Sequence, residues 1–294
     1  MKIVVTGSLG HIGKPLTWEL LSKGHSVTVI SSNSEKRAAI EALGATAAIG
    51  SVDDVNFLTT ALADADANAI FAMVPPNFAE TDQVAYYRRI TGNYVRAIAQ
   101  TGVERVVLLS SYGAHLDKDT GFILGAHHAE TILNTLPGNI AITHLRAGYF
   151  YYNLFGFTDM IKSAGFIGTN YGGDDLIVLV APVDIAAVAA EELLKPATGI
   201  TIRYVASDER TASEIAQGLG AAIGKPDLQW LVLTSEQMKE GMEMRGLPAH
   251  VIASFVELGA SLHSGDLLND YNQHKPVLGK VKLEDFAREF AAAF

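Results

Sequence analysis

Gly7, Gly10 and Gly13 are evenly spaced directly behind the β-branched run Lys2-Ile3-Val4-Val5-Thr6 and at the opening of a helical pattern, Lys14-Pro15-Leu16-Thr17-Trp18-Glu19-Leu20-Leu21. Strand, glycine turn and helix in that order form a place where main chain can wrap a phosphate. Gly7 suits the tight turn, Gly10 lets backbone approach a diphosphate, and Gly13 lets helix and strand pack closely. The helix start adds unpaired N–H groups and the positive end of its dipole. Thr6, Gly7, Leu9, Gly10, His11, Ile12 and Gly13 are therefore the expected diphosphate contacts of a dinucleotide. Without that context the glycines would be an ordinary βα turn.

A second group tells which dinucleotide. An acid at the end of the second strand of such a fold bonds a ribose 2′-hydroxyl and repels a 2′-phosphate. Here the strand ends Val29-Ile30-Ser31-Ser32-Asn33-Ser34, with no acid before Glu35. Ser31, Ser32 and Asn33, with Lys36 and Arg37 a turn later, suit a phosphate, so NADP(H) is preferred and NAD(H) remains possible. Ser34 is expected to cap the following helix. Asp53 or Asp54, after the third strand, either reaches the adenine or caps the next helix. Val74-Pro75-Pro76 ends the fourth strand in a rigid wall on the cofactor's path. Ser110 and Ser111 end the fifth, where their hydroxyls face the nicotinamide or satisfy backbone groups.

These residues need a scaffold that brings strand ends together. Strand patterns at Lys2–Thr6, Ser26–Ile30, Ala45–Ile49, Ala69–Val74, Arg105–Leu109 and Ile140–Leu145 alternate with helical patterns at Lys14–Lys23, Glu35–Leu43, Val55–Leu62, Glu80–Thr101 and Ala126–Leu136. The repetition predicts an α/β fold, a Rossmann-type doubly wound parallel sheet. After Arg146 the alternation loosens into an aromatic and glycine-rich stretch to Gly173. Leu176–Val180, Pro182–Leu194 and Thr201–Ala206 read as a return to the sheet. Helices follow at Thr211–Ile223, Ser235–Met244, Pro248–Leu262 and Leu283–Phe294. The expected division is a nucleotide domain of 1–146 plus about 176–206, and a smaller, mostly helical C-terminal substrate lobe of about 147–175 plus 207–294. The interlobe cleft is where a small substrate would sit.

Bulk properties narrow the partners. The 294 residues are 49% hydrophobic and 18% charged, with a net charge of −10 and no cysteine. That balance argues against nucleic acid or an anionic membrane as partner, and it removes disulfides and thiolate chemistry. No apolar run reaches the ~18 residues of a membrane helix, and a strand at residue 2 leaves no room for a signal peptide. The expectation is a cytoplasmic monomer or homodimer acting on a small molecule, without a metal.

Thr6-Gly7-x-x-Gly10-x-x-Gly13, Val74-Pro75-Pro76, Ser110-Ser111-Tyr112-Gly113, Leu145-Arg146-Ala147-Gly148-x-Phe150-x-x-Asn153, Pro182-Val183-Asp184-Ile185-Ala186 and Glu214-Ile215-Ala216 occur in order. Together they resemble the NmrA-like, atypical short-chain dehydrogenase/reductase family over roughly residues 1–225. The resemblance implies an NAD(P)H-dependent reductase of quinones or dyes, an isoflavone-type reductase, or a redox-sensing regulator with little turnover. It also places Phe150 and Asn153 beside the substrate. In the wider group a Tyr-x-x-x-Lys pair serves as acid, with a glutamate four residues after the lysine. Glu130 fits that glutamate, which puts Ala126 at the lysine and Phe122 at the tyrosine. A slip of one residue would offer His127 and Ile123 instead.

Lacking the pair, hydride transfer must draw its proton elsewhere or from solvent. This suits quinone-like or dye-like acceptors, whose reduced anions take protons from water, and disfavours alcohol formation and sugar-nucleotide epimerisation. The expected function is an NAD(P)H-dependent oxidoreductase of a small conjugated acceptor; the alternative is an NADP(H)-sensing regulatory protein. Tyr112, His127 and His128 are the candidate proton donors, and Tyr112, Phe150 and Asn153 the candidate substrate contacts. Adjacent helical histidines point about 100° apart, so at most one of them faces the cofactor.

Overall fold

A computed structural model describes residues 1–294. The chain runs β1 (Lys2–Val5), α1 (Gly13–Ser22), β2 (Ser26–Ser31), α2 (Arg37–Ala42), β3 (Thr46–Ile49), α3 (Val55–Asp64), β4 (Ala69–Ala72), α4 (Gln83–Ala99), β5 (Arg105–Ser111), α5 (Ile123–Leu133) and β6 (Ala141–Ala147). It continues through β7 (Tyr149–Phe150), a 3-10 helix (Tyr151–Phe157), α6 (Thr158–Ala164), β8 (Ile167–Thr169), β9 (Leu176–Val180), α7 (Pro182–Leu194) and β10 (Ile200–Val205). The last part holds β11 (Asp208–Thr211), α8 (Ala212–Ala222), β12 (Trp230–Val232), α9 (Ser235–Met244), α10 (Ala249–Ser264), α11 (Leu268–Gln273) and α12 (Leu283–Ala293).

The large sheet has seven parallel strands in the order β10-β6-β5-β4-β1-β2-β3, so the fold is α/β and Rossmann-like. Alternation along β1 divides its cores. Ile3 and Val5 point to one face, where Leu16 and Leu20 of α1, Ile40 of α2 and Ile185 and Ala189 of α7 cover them. Val4 points to the other, beneath Leu58 and Leu62 of α3, Tyr94 and Ile98 of α4 and Leu133 of α5. Each fully buried side chain of this size contributes about 1.5–3 kcal/mol, enough to hold the strand ends in register.

Two local readings change. The cap before α2 is Asn33, whose Oδ1 accepts the Glu35 N–H at 2.9 Å and opens a 3-10 turn over Ser34–Lys36; Ser34 is inside that turn. β9 is a strand but does not return to the large sheet. It pairs antiparallel with β11 and parallel with β7 in a small sheet, because the free edge of β6 is already taken by β10. The aromatic stretch after Arg146 is split among β7, the 3-10 helix, α6 and β8. Tyr149, Tyr151, Phe155, Phe157 and Tyr171 join a core with α8, α11 and α12, while Phe150 packs into the core under α1 and α7. No helix is long and apolar enough to cross a membrane, and no cluster of three metal-ligating side chains occurs.

Candidate cofactor and substrate site

The order in which strands are added to the sheet reverses at β1, with β2 and β3 on one side and β4, β5 and β6 on the other, and the crevice above such a switch is where nucleotides bind in open α/β sheets. The glycine turn stands there. Gly7 has φ of +88°, and a Cβ on it would sit 2.2 Å from Met73 Sδ. A Cβ on Gly13 would sit 2.1 Å from the Ser8 carbonyl oxygen, so only glycine lets α1 start this close to the turn. Gly10 is exposed, with its nearest neighbour the Gly7 carbonyl at 3.2 Å from a built Cβ. Ile12 caps α1 without a side-chain bond, and the N–H groups of His11, Ile12 and Gly13 have no partner within the protein. Free donors around a surface too close for side chains fit a diphosphate.

The surrounding residues divide into those free to touch a ligand and those already engaged. Thr6 is fully buried; its hydroxyl donates to Phe71 O at 3.1 Å and accepts the Met73 N–H at 3.0 Å. The Tyr94 hydroxyl lies 2.8 Å from Met73 O and 3.1 Å from the same Thr6 oxygen. Thr6 thus pins the ends of β1 and β4 together, and its side chain faces protein. Ser31 is also buried, accepting Ser8 Oγ at 2.9 Å and the Asn33 N–H at 3.2 Å, which ties the glycine turn to the end of β2. Ser32, Asn33, Lys36 and Arg37 are exposed beyond it, Arg37 leaning on Glu41 at 3.4 Å. Asp53 is held by Arg89, which also binds Glu80 at 2.7 Å, while Asp54 caps α3 through the Asn56 and Phe57 N–H groups. Val74 is buried, Pro75 accepts the Tyr86 hydroxyl at 2.9 Å, and Pro76 is exposed. A groove of about 570 Å³ extends from Leu9, Gly10 and His11 past Lys14 and Trp18 to Leu43 and Val183, on the outer side of the turn.

At the other end of the crevice, Ser110 turns away from the rim. Its hydroxyl donates at 2.5 Å to Glu130, whose carboxylate also takes Arg146 Nε at 3.0 Å and Nη2 at 2.7 Å. Arg146 reaches on to Asp270 at 2.8 Å and to the Tyr204 hydroxyl at 3.1 Å. This buried chain links β5, α5, β6 and β10 to α11. The Glu130 hydrogen bonds outweigh burial and hold the Arg146 guanidinium charged. Burial opposes the Asp270 carboxylate, but the Tyr204 hydrogen bond and the Arg146 charge keep it below the usual range. A buried arginine within an apolar strand was the visible sign that a carboxylate partner must exist.

Tyr112 is 3% exposed and packs in the lobe core, with its hydroxyl unpartnered. Burial raises its pKa far above the ordinary phenol value, so the phenol stays protonated. The histidines diverge as helix geometry requires. His128 points to α4, with Arg88 at 3.3 Å, and burial, Arg88 and His127 lower its pKa. His127 points to the loop after β5, its Nδ1 3.0 Å from the Ala114 carbonyl. Phe122, at the start of α5, packs edge-on against Phe255 of α10 and against Phe78. Ser111 and Phe150 are half-buried at the rim, and Asn153 is exposed.

Residues 7–145 match a family model described as NAD(P)H-binding. This agrees with its likeness to the NmrA-like, atypical short-chain dehydrogenase/reductase group. Over essentially its whole length, 99% of each chain, it is 25% identical to an NAD(P)H azoreductase of Xenophilus azovorans. Among solved structures it is similar to an NADPH-dependent quinone oxidoreductase of Escherichia coli complexed with NADPH, with a TM-score of 0.80, 21% identity and coverage of 98% and 99%. The triphenylmethane reductase of Citrobacter sp. complexed with NADP(H) superposes with a TM-score of 0.78 at 21% identity, again over 98% and 99% of the chains.

Proposed function

We propose that this protein is an NADPH-dependent reductase of small conjugated acceptors of the quinone, azo or triphenylmethane-dye kind. What supports the reading is the glycine cradle at the head of α1, together with Phe122, the residue that the resemblance aligns with the acid tyrosine, packed against Phe255 of α10. A bound nicotinamide supplies the hydride. The chain's residues do the rest. Gly7, Gly10 and Gly13 bring the free N–H groups of His11, Ile12 and Gly13 against the diphosphate, and Leu9 lies in the same turn. Ser32, Lys36 and Arg37 present hydroxyl and positive charge after the end of β2, with no acid before Glu35 to repel a 2′-phosphate. Thr6, Ser31, Asp53 and Ser110 shape the site through their protein partners. Val74, Pro75 and Pro76 wall one side of the crevice, and Ser111, Phe150 and Asn153 the acceptor end.

An acceptor of this class needs no alkoxide quenched in place: the reduced anion of a quinone or azo compound survives until water delivers the proton, and a triphenylmethane cation becomes neutral on taking the hydride. His127, fixed by Ala114, is the side chain left to assist, and Tyr112 and His128 are set aside. The cofactor domain comprises 1–146 with the α7 and β10 region, and the acceptor lobe the remainder, including β9. The discriminating experiment follows NADPH oxidation with a panel of quinones, azo dyes and triphenylmethane dyes, beside calorimetric NADPH titration. Turnover with at least one acceptor supports the proposal. Tight binding with no turnover across the panel overturns it in favour of a nucleotide sensor.

A further inference from the structure

His11 belongs to the phosphate turn, yet its exposed side chain is not free. Its ring stacks on Tyr152, with centroids 4.9 Å apart and planes inclined by 25°. Tyr152 in turn faces Phe150 at 5.0 Å and 36°. The three rings run from the turn at the head of α1 to the strand end that walls the acceptor side. Phe150 is anchored twice, by its ladder partner Val180 in β9 and by the core under α1 and α7. The 3-10 helix that carries Tyr152 is held from behind, where Tyr151 stacks on Phe286 of α12 at 5.1 Å and Leu154 is fully buried. Burial lifts the Tyr152 phenol to about 12, so the ring stays neutral at ordinary pH. Neither the His11 ring nor the Tyr152 hydroxyl has a hydrogen-bond partner in the protein; stacking is the directional contact between them.

We propose that Tyr152 is a positioning residue that couples the two halves of the site, holding His11 and its free N–H group in the conformation the diphosphate needs. Resting on the cofactor reading above, this makes the acceptor wall part of the cofactor site. Ordering of the turn by a dinucleotide is transmitted through the rings to the segment 149–157, including Asn153.

A double-mutant cycle on NADPH affinity by calorimetry tests the coupling. His11→Ala and Tyr152→Ala should each weaken binding about three- to tenfold, and the double variant no more than the worse single one. Tyr152→Phe should retain wild-type affinity, and Tyr152→Leu, apolar but without the ring, should not. Independent losses that multiply in the double variant, or full affinity in Tyr152→Leu, overturn the proposal. Hydrogen exchange of the 149–157 segment supplies a second readout. NADP⁺ should protect it in the wild type and fail to do so in His11→Ala; equal protection in both refutes the transmission. Failure of the cofactor reading looks different: the wild type itself would bind neither NADPH nor NADH.

Discussion

Gly10 and Gly13 make opposite demands on a substitution, and the contrast separates the turn's role in folding from its role in binding. At Gly13 an added Cβ would lie 2.1 Å from the Ser8 carbonyl oxygen, whereas at Gly10 the nearest atom would be 3.2 Å away. Relieving the first clash requires moving the Ser8 peptide by ~1 Å. That peptide is anchored: its N–H bonds Ile30 O at 3.0 Å, Ser8 Oγ bonds Ser31 at 2.9 Å, and Ser8 already has φ of +59°. Helix propensity favours alanine at Gly13 by at most about 1 kcal/mol, against an overpacking cost of about 1–3 kcal/mol. Gly13→Ala should therefore lose up to about 2 kcal/mol of stability and bind NADPH at least about tenfold more weakly. Gly10→Asp should unfold at nearly the wild-type denaturant midpoint, because Gly10 is exposed with an ordinary backbone. It should nonetheless lose NADPH affinity by on the order of a hundredfold or more, because its carboxylate would meet the diphosphate. Urea unfolding and calorimetric titration of both variants give the two quantities. Unchanged NADPH affinity in Gly10→Asp would refute the assignment of the turn to phosphate.

Three further outcomes are expected. Replacing Lys36 and Arg37 together by glutamate should raise the Kd for NADPH at least tenfold more than that for NADH, measured by titration; equal losses would remove the 2′-phosphate role. Glu130→Gln leaves Arg146 buried without its carboxylate, Arg146 and Glu130 side chains being only 5% and 8% exposed, so unfolding free energy should drop by about 3–5 kcal/mol. A drop below about 1 kcal/mol would show that Asp270 and Tyr204 suffice. Burial lowers the pKa of His115 and His144, so the unfolded chain binds their protons first. Stability should be full above the unfolded value of about 6.5 and fall as pH drops through it, by at most about 1.4 kcal/mol per pH unit for each histidine. His115→Gln with His144→Gln should flatten that slope in denaturant titrations between about pH 7 and 5.

The strands, the order of the cofactor half and the glycine turn were legible because each depends on neighbours in sequence: β-branched runs, helical spacing, and glycines at a strand end. What stayed hidden depends on distant chain. Leu176–Val180 is apolar whichever sheet it joins, and only β10 occupying the edge of β6 decides that it goes elsewhere. Tyr112 reads as a rim hydroxyl until Leu267, on the approach to α11, and the lobe core close over it. Asp53 could not be assigned without Arg89, nor Ser110 without Glu130, since those partners come from other elements. The His127–His128 divergence followed from helix geometry, but which ring met Ala114 and which met Arg88 required the packing of α5 against α4.

β10 and α7 have a consequence for how this protein can be built and broken. Arg105, in the middle strand region of the first half, donates from Nε and Nη2 to the Glu192 carbonyl at 2.9 and 2.8 Å, and its charge is met by the Glu192 carboxylate at 3.2 Å. Glu192 lies in α7, reached only after the chain has travelled through β7, β8 and β9. The nucleotide half is therefore not a module that finishes before the rest begins. Cut after β6, it would keep its glycine turn yet expose one flank of α1 and strand a guanidinium in apolar surroundings. The stretch from β7 to β9 is an excursion from the large sheet, tethered at both ends by β6 and by the pair α7 and β10.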